Sequence, residues 1–241
     1  VAGNGLHFHL ELIKNAENIM STADGSLSED ARKLIAGLVY YASTLSAFGN
    51  TVASSFLRLV PNQEAPTRIC WSHNNRSALI RVPLGWSEKS HLAKVVNPAE
   101  TDDYVDSRGR QTVELRSPDG SASFHLLLAG ITTAAEHGLT ADGMLERAVE
   151  TNIEGNVFSD KEVMDRLEPL PSSCVQCARL LDERRAMYEE AGVFPRRVID
   201  YQIALLKEED DEKLNRDFAR LPAEERLVAT RELMHKDIHR H

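Results

Sequence analysis

The chain has 241 residues, 42% of them hydrophobic and 27% charged, and a formal net charge of −9. That length holds one large domain or two small ones with a real core. No apolar run approaches the roughly 20 residues that span a bilayer and no basic stripe is interleaved with aromatics, so the chain reads as soluble, with neither a membrane nor a nucleic acid as partner.

Of the 37 acidic residues, 23 fall in residues 141–241, where they mark the solvated faces of helices. Three cysteines, Cys70, Cys174 and Cys177, make no disulfide framework and fit a reducing, cytoplasmic setting.

The chain opens "VAGNGLHFHLEL" without an initiator Met, a signal peptide or a cap before its first strand-like stretch, and reads as a cut through a larger domain. Residues 5–13 alternate weakly and predict a strand. On a strand, His7 and His9 point to one face. After the polar turn "STADGS", the run "LSEDARKLIAGLVYYASTLSAFG" predicts an amphipathic helix capped by Ser28, with Glu29 and Asp30 in its first turn and Gly49 past its end. A short helical piece, "TVASSFLRLV", follows. The stretch "EAPTRICWSHNNRSALIRVPLGW" places two β-type runs around the turn signal His73-Asn74-Asn75 and predicts a hairpin. Residues 84–110 are polar and irregular, and "QTVELRSP" returns to strand. From Ser123 the pattern is helical: "SASFHLLLAGITTAAEHGL", then 172–190, then a long stretch from about 194 with Pro195 near its start. Strands first and helices after make the fold class α+β. "CVQC" has metal or redox spacing, but it lies in a Ser-capped helical pattern with no second Cys pair, and helix packing is the favoured reading.

Seven arginines, Arg58, Arg68, Arg76, Arg81, Arg108, Arg110 and Arg116, fall where the strands are, while Lys89 and Lys94 are the only lysines in that region. The guanidinium fork grips carboxylates and phosphates, so an anionic ligand is one reading and surface ion pairing the other. In "VELR", Glu114 and Arg116 share one strand face and Val113 and Leu115 the other. They make either a plain salt bridge or a metal ligand beside a substrate clamp.

The ordered segments "GNGLHFHLEL", "LIAGLVYYASTLSAFGNTVASSFLRLVPNQEAP", "NNRSALIRVP", "VELRSPDGSAS" and "GVFPRRVIDYQIALLKEEDD" resemble the C-terminal part of the catalytic domain of glutamine synthetases. The resemblance implies antiparallel strands of an open barrel-like sheet followed by packed helices. It makes residues 1–241 the C-terminal portion of that domain, without the N-terminal β-grasp domain or the first catalytic strands. Residues 212–241 form a divergent, charged helical tail.

The resemblance also assigns roles. His7 and Glu114 match ligands of the metal beside the ATP γ-phosphate, Mg²⁺ or Mn²⁺, and His9 matches the nucleotide side; both histidines on one metal is the runner-up. Gly3, Arg58 and Arg116 match glutamate contacts, and Arg76 and Arg81 match arginines on the phosphates. Glu64 matches the flap carboxylate that takes a proton from ammonia and closes over the glutamate. Lys89 is the candidate ATP-contacting lysine. The implied function is ATP-dependent ligation of ammonia to glutamate through γ-glutamyl phosphate, in a homo-oligomer with sites between subunits. A fragment of such an enzyme is expected to be inactive alone. Alternatives are a γ-glutamyl ligase for another amine and a non-catalytic relative. Three local departures stand out: Asn62 and Gln63 replace a usual Gly and aromatic, 84–110 is long, and Thr112 stands where an Arg is common, with Arg110 or Arg108 as substitutes.

Overall fold

The computed structural model describes residues 5–61, 65–84, 96–99, 101, 110–155, 161–190 and 192–239. Its centre is helix α1, Glu29–Gly49. Ser28 caps it as expected: its Oγ accepts from the Ala31 amide at 3.0 Å and donates to the Ile19 carbonyl at 2.6 Å. Glu29 and Asp30 sit in the first turn, where they complement the helix dipole. Gly49 is the last helical residue, not the one beyond, and Asn50 caps the end through its amide on the Ser46 carbonyl.

From Leu34 to Gly49 only Tyr40 of α1 escapes full burial, because other elements surround the helix. The closest is α3, Phe124–Thr140. Where α1 and α3 cross, a Cβ on Gly37 would lie 2.1 Å from the Ala134 carbonyl oxygen, and one on Gly138 would lie 2.2 Å from that of Lys33. Two glycines let the backbones touch.

The main sheet runs in the order β1 (Phe8–Leu10), β6 (Val113–Leu115), β5 (Ile80–Val82), β4 (Trp71–His73). β1 and β5 pair antiparallel with β6. The expected hairpin at 68–84 is not formed: β4 and β5 run parallel, Trp71 opposite Ile80. The connection returns because Asn75 folds it into a turn, its Oδ1 accepting from the amide and hydroxyl of Ser77. Burial of Ala78 against Cys70, Ile153 and Leu167 then pulls the chain back to the start of β4. The strand expected over 5–13 is shorter, Phe8–Leu10, and a small hairpin of β2 (Ile13–Lys14) and β3 (Glu17–Asn18) begins at its expected end.

The class is α+β, with α1 and α2 lying between β3 and β4 rather than after all the strands. Helix α3 follows β6, and after it come α4 (Met144–Glu150), α5 (Lys161–Arg166), α6 (Cys174–Glu183), α7 (Ala186–Glu189), α8 (Arg196–Glu208), α9 (Leu214–Arg220) and α10 (Ala223–Lys236). The short helical piece expected after α1 is α2, Ser55–Arg58. The stretch 172–190 is two helices, broken at Arg184 and Arg185. Arg185 spends its guanidinium on Asp182, Glu189 and Asp200 at the break. "CVQC" is the start of α6, capped by Ser173, and both thiols are buried. No helix among the described residues is long and apolar enough to cross a membrane.

Candidate active site

Register decides what each sheet face carries. Phe8, Leu115, Ile80 and Trp71 form one row across the four strands, and all are buried in the core. The next row is His9, Glu114, Arg81 and Ser72, and because side chains alternate it faces the other way. His7 and Arg116 lie two residues along from His9 and Glu114 and join the same face.

Glu114 is the hub of this face and only 2% exposed. Its Oε1 lies 2.7 Å from His7 Nδ1 and accepts from an Nη of Arg116 at 2.8 Å. Its Oε2 lies 2.5 Å from Arg81 Nε, yet receives no directed hydrogen bond from any described residue. Among the described residues one carboxylate thus faces two guanidinium groups, a donor-rich arrangement of the kind that grips anions. Burial pulls the His7 imidazole below its ordinary pKa, reinforced by the Arg116 charge and opposed by Glu114. Burial likewise lowers Arg116, again against Glu114. The desolvation penalty on these ions is partly offset by their mutual contacts and is relieved further by an anionic ligand.

Arg58, at the end of α2, is buried and donates to the backbone carbonyls of Ser117 and Pro118, the latter at 3.1 Å. Gly5 separates it from His7: a Cβ there would lie 2.7 Å from His7 Nε2 and 3.3 Å from an Nη of Arg58. The missing side chain keeps a gap open between the imidazole and the guanidinium. Leaving that gap open calls for Gly here.

The structure therefore brings together His7, Glu114, Arg81 and Arg116, with Arg58 beside them. His9 takes a different partner from His7, the Thr112 hydroxyl at 3.1 Å. Arg76 is exposed on the connection after β4, close enough to add its charge to the field at Arg116. Arg110 is exposed and Arg68 bridges to Pro169. Gly3, Glu64, Lys89 and Arg108 lie outside the described residues. Among the described residues no three His, Cys, Asp or Glu side chains converge on one point; His7 and Glu114 meet as a pair. Sequence reasoning missed the polar run 117–121 behind Arg58. Its signal was Asn50, a polar residue directly after an apolar helix end.

The family model "Glutamine synthetase, catalytic domain" matches residues 1–221. Glutamine synthetase of Thermococcus kodakarensis is 34% identical over 200 residues, covering 83% of this chain and 40% of its own. That of Salmonella typhimurium is 30% identical over 210 residues, covering 87% and 40%. The chain spans about 40% of the length of these curated relatives. Among solved structures, a cryo-EM Plasmodium falciparum glutamine synthetase shares the fold at a TM-score of 0.62 and 22% identity, over 92% of this chain and 46% of the other. A catalytic-domain match across nearly the whole chain, on a fold whose sheet gathers an imidazole, a carboxylate and arginines, makes this chain a member of the glutamine synthetase family.

Proposed function

We propose that the protein carrying this chain is a glutamate–ammonia ligase, which spends ATP to form γ-glutamyl phosphate and then the amide. The observation that supports it best is the single sheet face on which Glu114 meets His7, Arg81 and Arg116 with Arg58 alongside. Guanidinium groups of this kind bind carboxylate and phosphate oxygens, and the carboxylate–imidazole pair suits a divalent ion; glutamate, ATP and such an ion match both.

Glu114 and His7 would hold Mg²⁺ or Mn²⁺. The buried Oε2 without a directed hydrogen bond and the neighbouring imidazole are the hard-oxygen and nitrogen donors such ions take. When bound, the ion neutralises phosphate charge during transfer. Arg58, Arg116 and the Gly3 backbone hold glutamate by its carboxylates, and Arg76, Arg81, His9 and Lys89 hold the nucleotide. The glutamate γ-carboxylate oxygen attacks the γ-phosphorus and ADP leaves. Ammonia then attacks the γ-carbon, phosphate leaves, and Glu64 accepts the proton that the nitrogen sheds while covering the site against water. The reading includes a homo-oligomer with sites between subunits and a cytoplasmic location, which three free cysteines fit.

The test uses the full-length protein with glutamate, ATP, Mg²⁺ and ammonia, followed as glutamine and phosphate release. Glu64→Ala should keep ATP affinity and lose about 10²–10⁴-fold in amide formation, whereas His7→Ala should lose metal-dependent ATP affinity itself. Normal turnover by Glu64→Ala overturns the base assignment. Phosphate release that requires a larger amine in place of ammonia overturns the choice of nucleophile.

A further inference from the structure

The polar run behind Arg58 is densely hydrogen-bonded, and the reaction scheme above gives it no part. Asn50 is fully buried. Its Nδ2 donates to the Ser117 carbonyl at 2.9 Å and to Asp119 Oδ2 at 3.1 Å. The Ser117 carbonyl is the same one that receives Arg58. Asp119 Oδ1 in turn accepts from the amide and hydroxyl of Ser121, at 2.9 and 2.6 Å. The Asp119 amide donates to the Gly49 carbonyl at 3.1 Å, and Thr51 bonds Ser121 through its amide at 3.0 Å and its hydroxyl at 2.6 Å. Residues 117–121 are thereby stitched to residues 49–51, at the end of the longest helix.

We propose that Asn50 is a positioning residue for substrate-carboxylate binding: its amide fixes the Ser117–Pro118 carbonyls so that they present Arg58 to the ligand. This rests on the assignment of Arg58 as a glutamate contact. Three features carry it. Asn50 Oδ1 has no hydrogen-bond partner among the described residues, so the amide occupies a costly buried place and uses only its two donors. An apolar side chain would fill that place more cheaply unless those donors mattered. Second, among the described residues Arg58 touches no carboxylate: two carbonyls hold one Nη group and Arg58 Nε is without a partner there, so the guanidinium keeps donors for an incoming anion. Third, the held peptides connect directly to the rest of the site. Ser117 follows Arg116, and the Pro118 carbonyl also receives the Leu6 amide at 2.9 Å, one residue before His7. A shift of 117–118 moves Arg58, Arg116 and the His7 strand together, and substrate geometry tolerates little displacement.

The test compares Asn50→Ala and the milder Asn50→Ser with Gln202→Ala in the full-length protein. Gln202 is an equally buried amide that donates to the Ala47 carbonyl at 2.6 Å, near the same helix end but away from 117–121. All three variants should lower Tm. The Asn50 variants alone should raise the glutamate KM roughly tenfold, the scale of one lost charge-linked contact, with the ATP KM raised less and kcat within about twofold. A glutamate KM unchanged in both Asn50 variants, or raised equally by Gln202→Ala, overturns the proposal. Guanidinium NMR of Arg58 reads the same device without the reaction: rotation about Cζ–Nη should be slow in the wild type and in Gln202→Ala, and fast in the Asn50 variants. Fast rotation in the wild type, or slow rotation in the Asn50 variants, also overturns it. A wild type that binds no glutamate sinks the assignment of Arg58, and the NMR comparison still decides the role of Asn50.

Discussion

His7 and Glu114 meet at 2.7 Å across the β1–β6 pair, the imidazole one-third exposed and the carboxylate almost wholly buried. The pair therefore has a wet end and a dry end. Solvent and ligands reach His7, while Glu114 sets the charge of the whole face from below.

Glu114→Gln keeps the shape and removes that charge. Arg116, buried beside it, then loses the Glu114 contact at 2.8 Å. Breaking one side of a buried pair costs about 3–5 kcal/mol. We expect that loss in urea unfolding, together with loss of Mn²⁺ binding followed by electron paramagnetic resonance. A variant as stable as the wild type shows that the face is solvated enough to need no counter-charge.

Gly37→Ala and Gly138→Ala test the helix crossing. Each added Cβ would meet backbone at 2.1–2.2 Å, and neither helix can yield without moving the other. Overpacking of this kind costs about 1–3 kcal/mol or more, which for a domain of this size lowers Tm by roughly 2–4 °C per kcal/mol. An unchanged Tm for either variant would mean that α1 and α3 slide apart freely.

The cysteines should be silent. Burial pushes the Cys70 thiol up to about 11 and raises Cys174 and Cys177 further, the last two helped by the Asp211 charge. Since the thiolate is the reactive form, native protein at pH 8 should label with iodoacetamide many times more slowly than urea-unfolded protein. Fast native labelling at Cys174 or Cys177 would restore a redox reading of "CVQC".

Asp211 carries a pH signature. Its carboxylate accepts from the Cys174 and Val175 amides at 2.8 and 3.1 Å, but burial outweighs these bonds and raises its pKa above 3.8. Between 3.8 and the raised value, the folded state keeps a proton that the unfolded state has released, so stability contributed by this group is lost as pH rises through that window. Asp211→Asn has no proton to lose. Its unfolding free energy, plotted against pH from 3.5 to 7, should lack that fall, and parallel curves for the two proteins would remove Asp211 from the account.

The sequence made the helices legible where capping and periodicity agreed. Ser28 with Glu29 and Asp30 located the start of α1, and Ser173 located α6. The His-x-His and Glu-x-Arg alternations each placed two residues on one face of their own strand, because a period of two survives any register; pairing of His9 opposite Glu114 is what puts both pairs on the same face. What stayed hidden was non-local. The hairpin signal at His73-Asn74-Asn75 is real as a turn, but burial of Ala78 beside Cys70 and Ile153 decides that the next strand runs parallel. The break at Arg184–Arg185 depends on Asp200, supplied by a later helix. The hold of Asn50 on Ser117 joins residues 67 positions apart, and no local pattern announces it.

The order of strands in the sheet also sets an order in time. His9 and Thr112, bonded side by side, lie 103 positions apart in the chain, and the entropy of closing so long a loop must be met before their contact returns anything. Helix α1, by contrast, needs only its own residues and the cap at Ser28 to begin. During synthesis the N-terminal histidines emerge well before the strand that completes their face, so they wait on a growing scaffold of helix. The face that carries the site is therefore complete only once residues 112–116 have joined it.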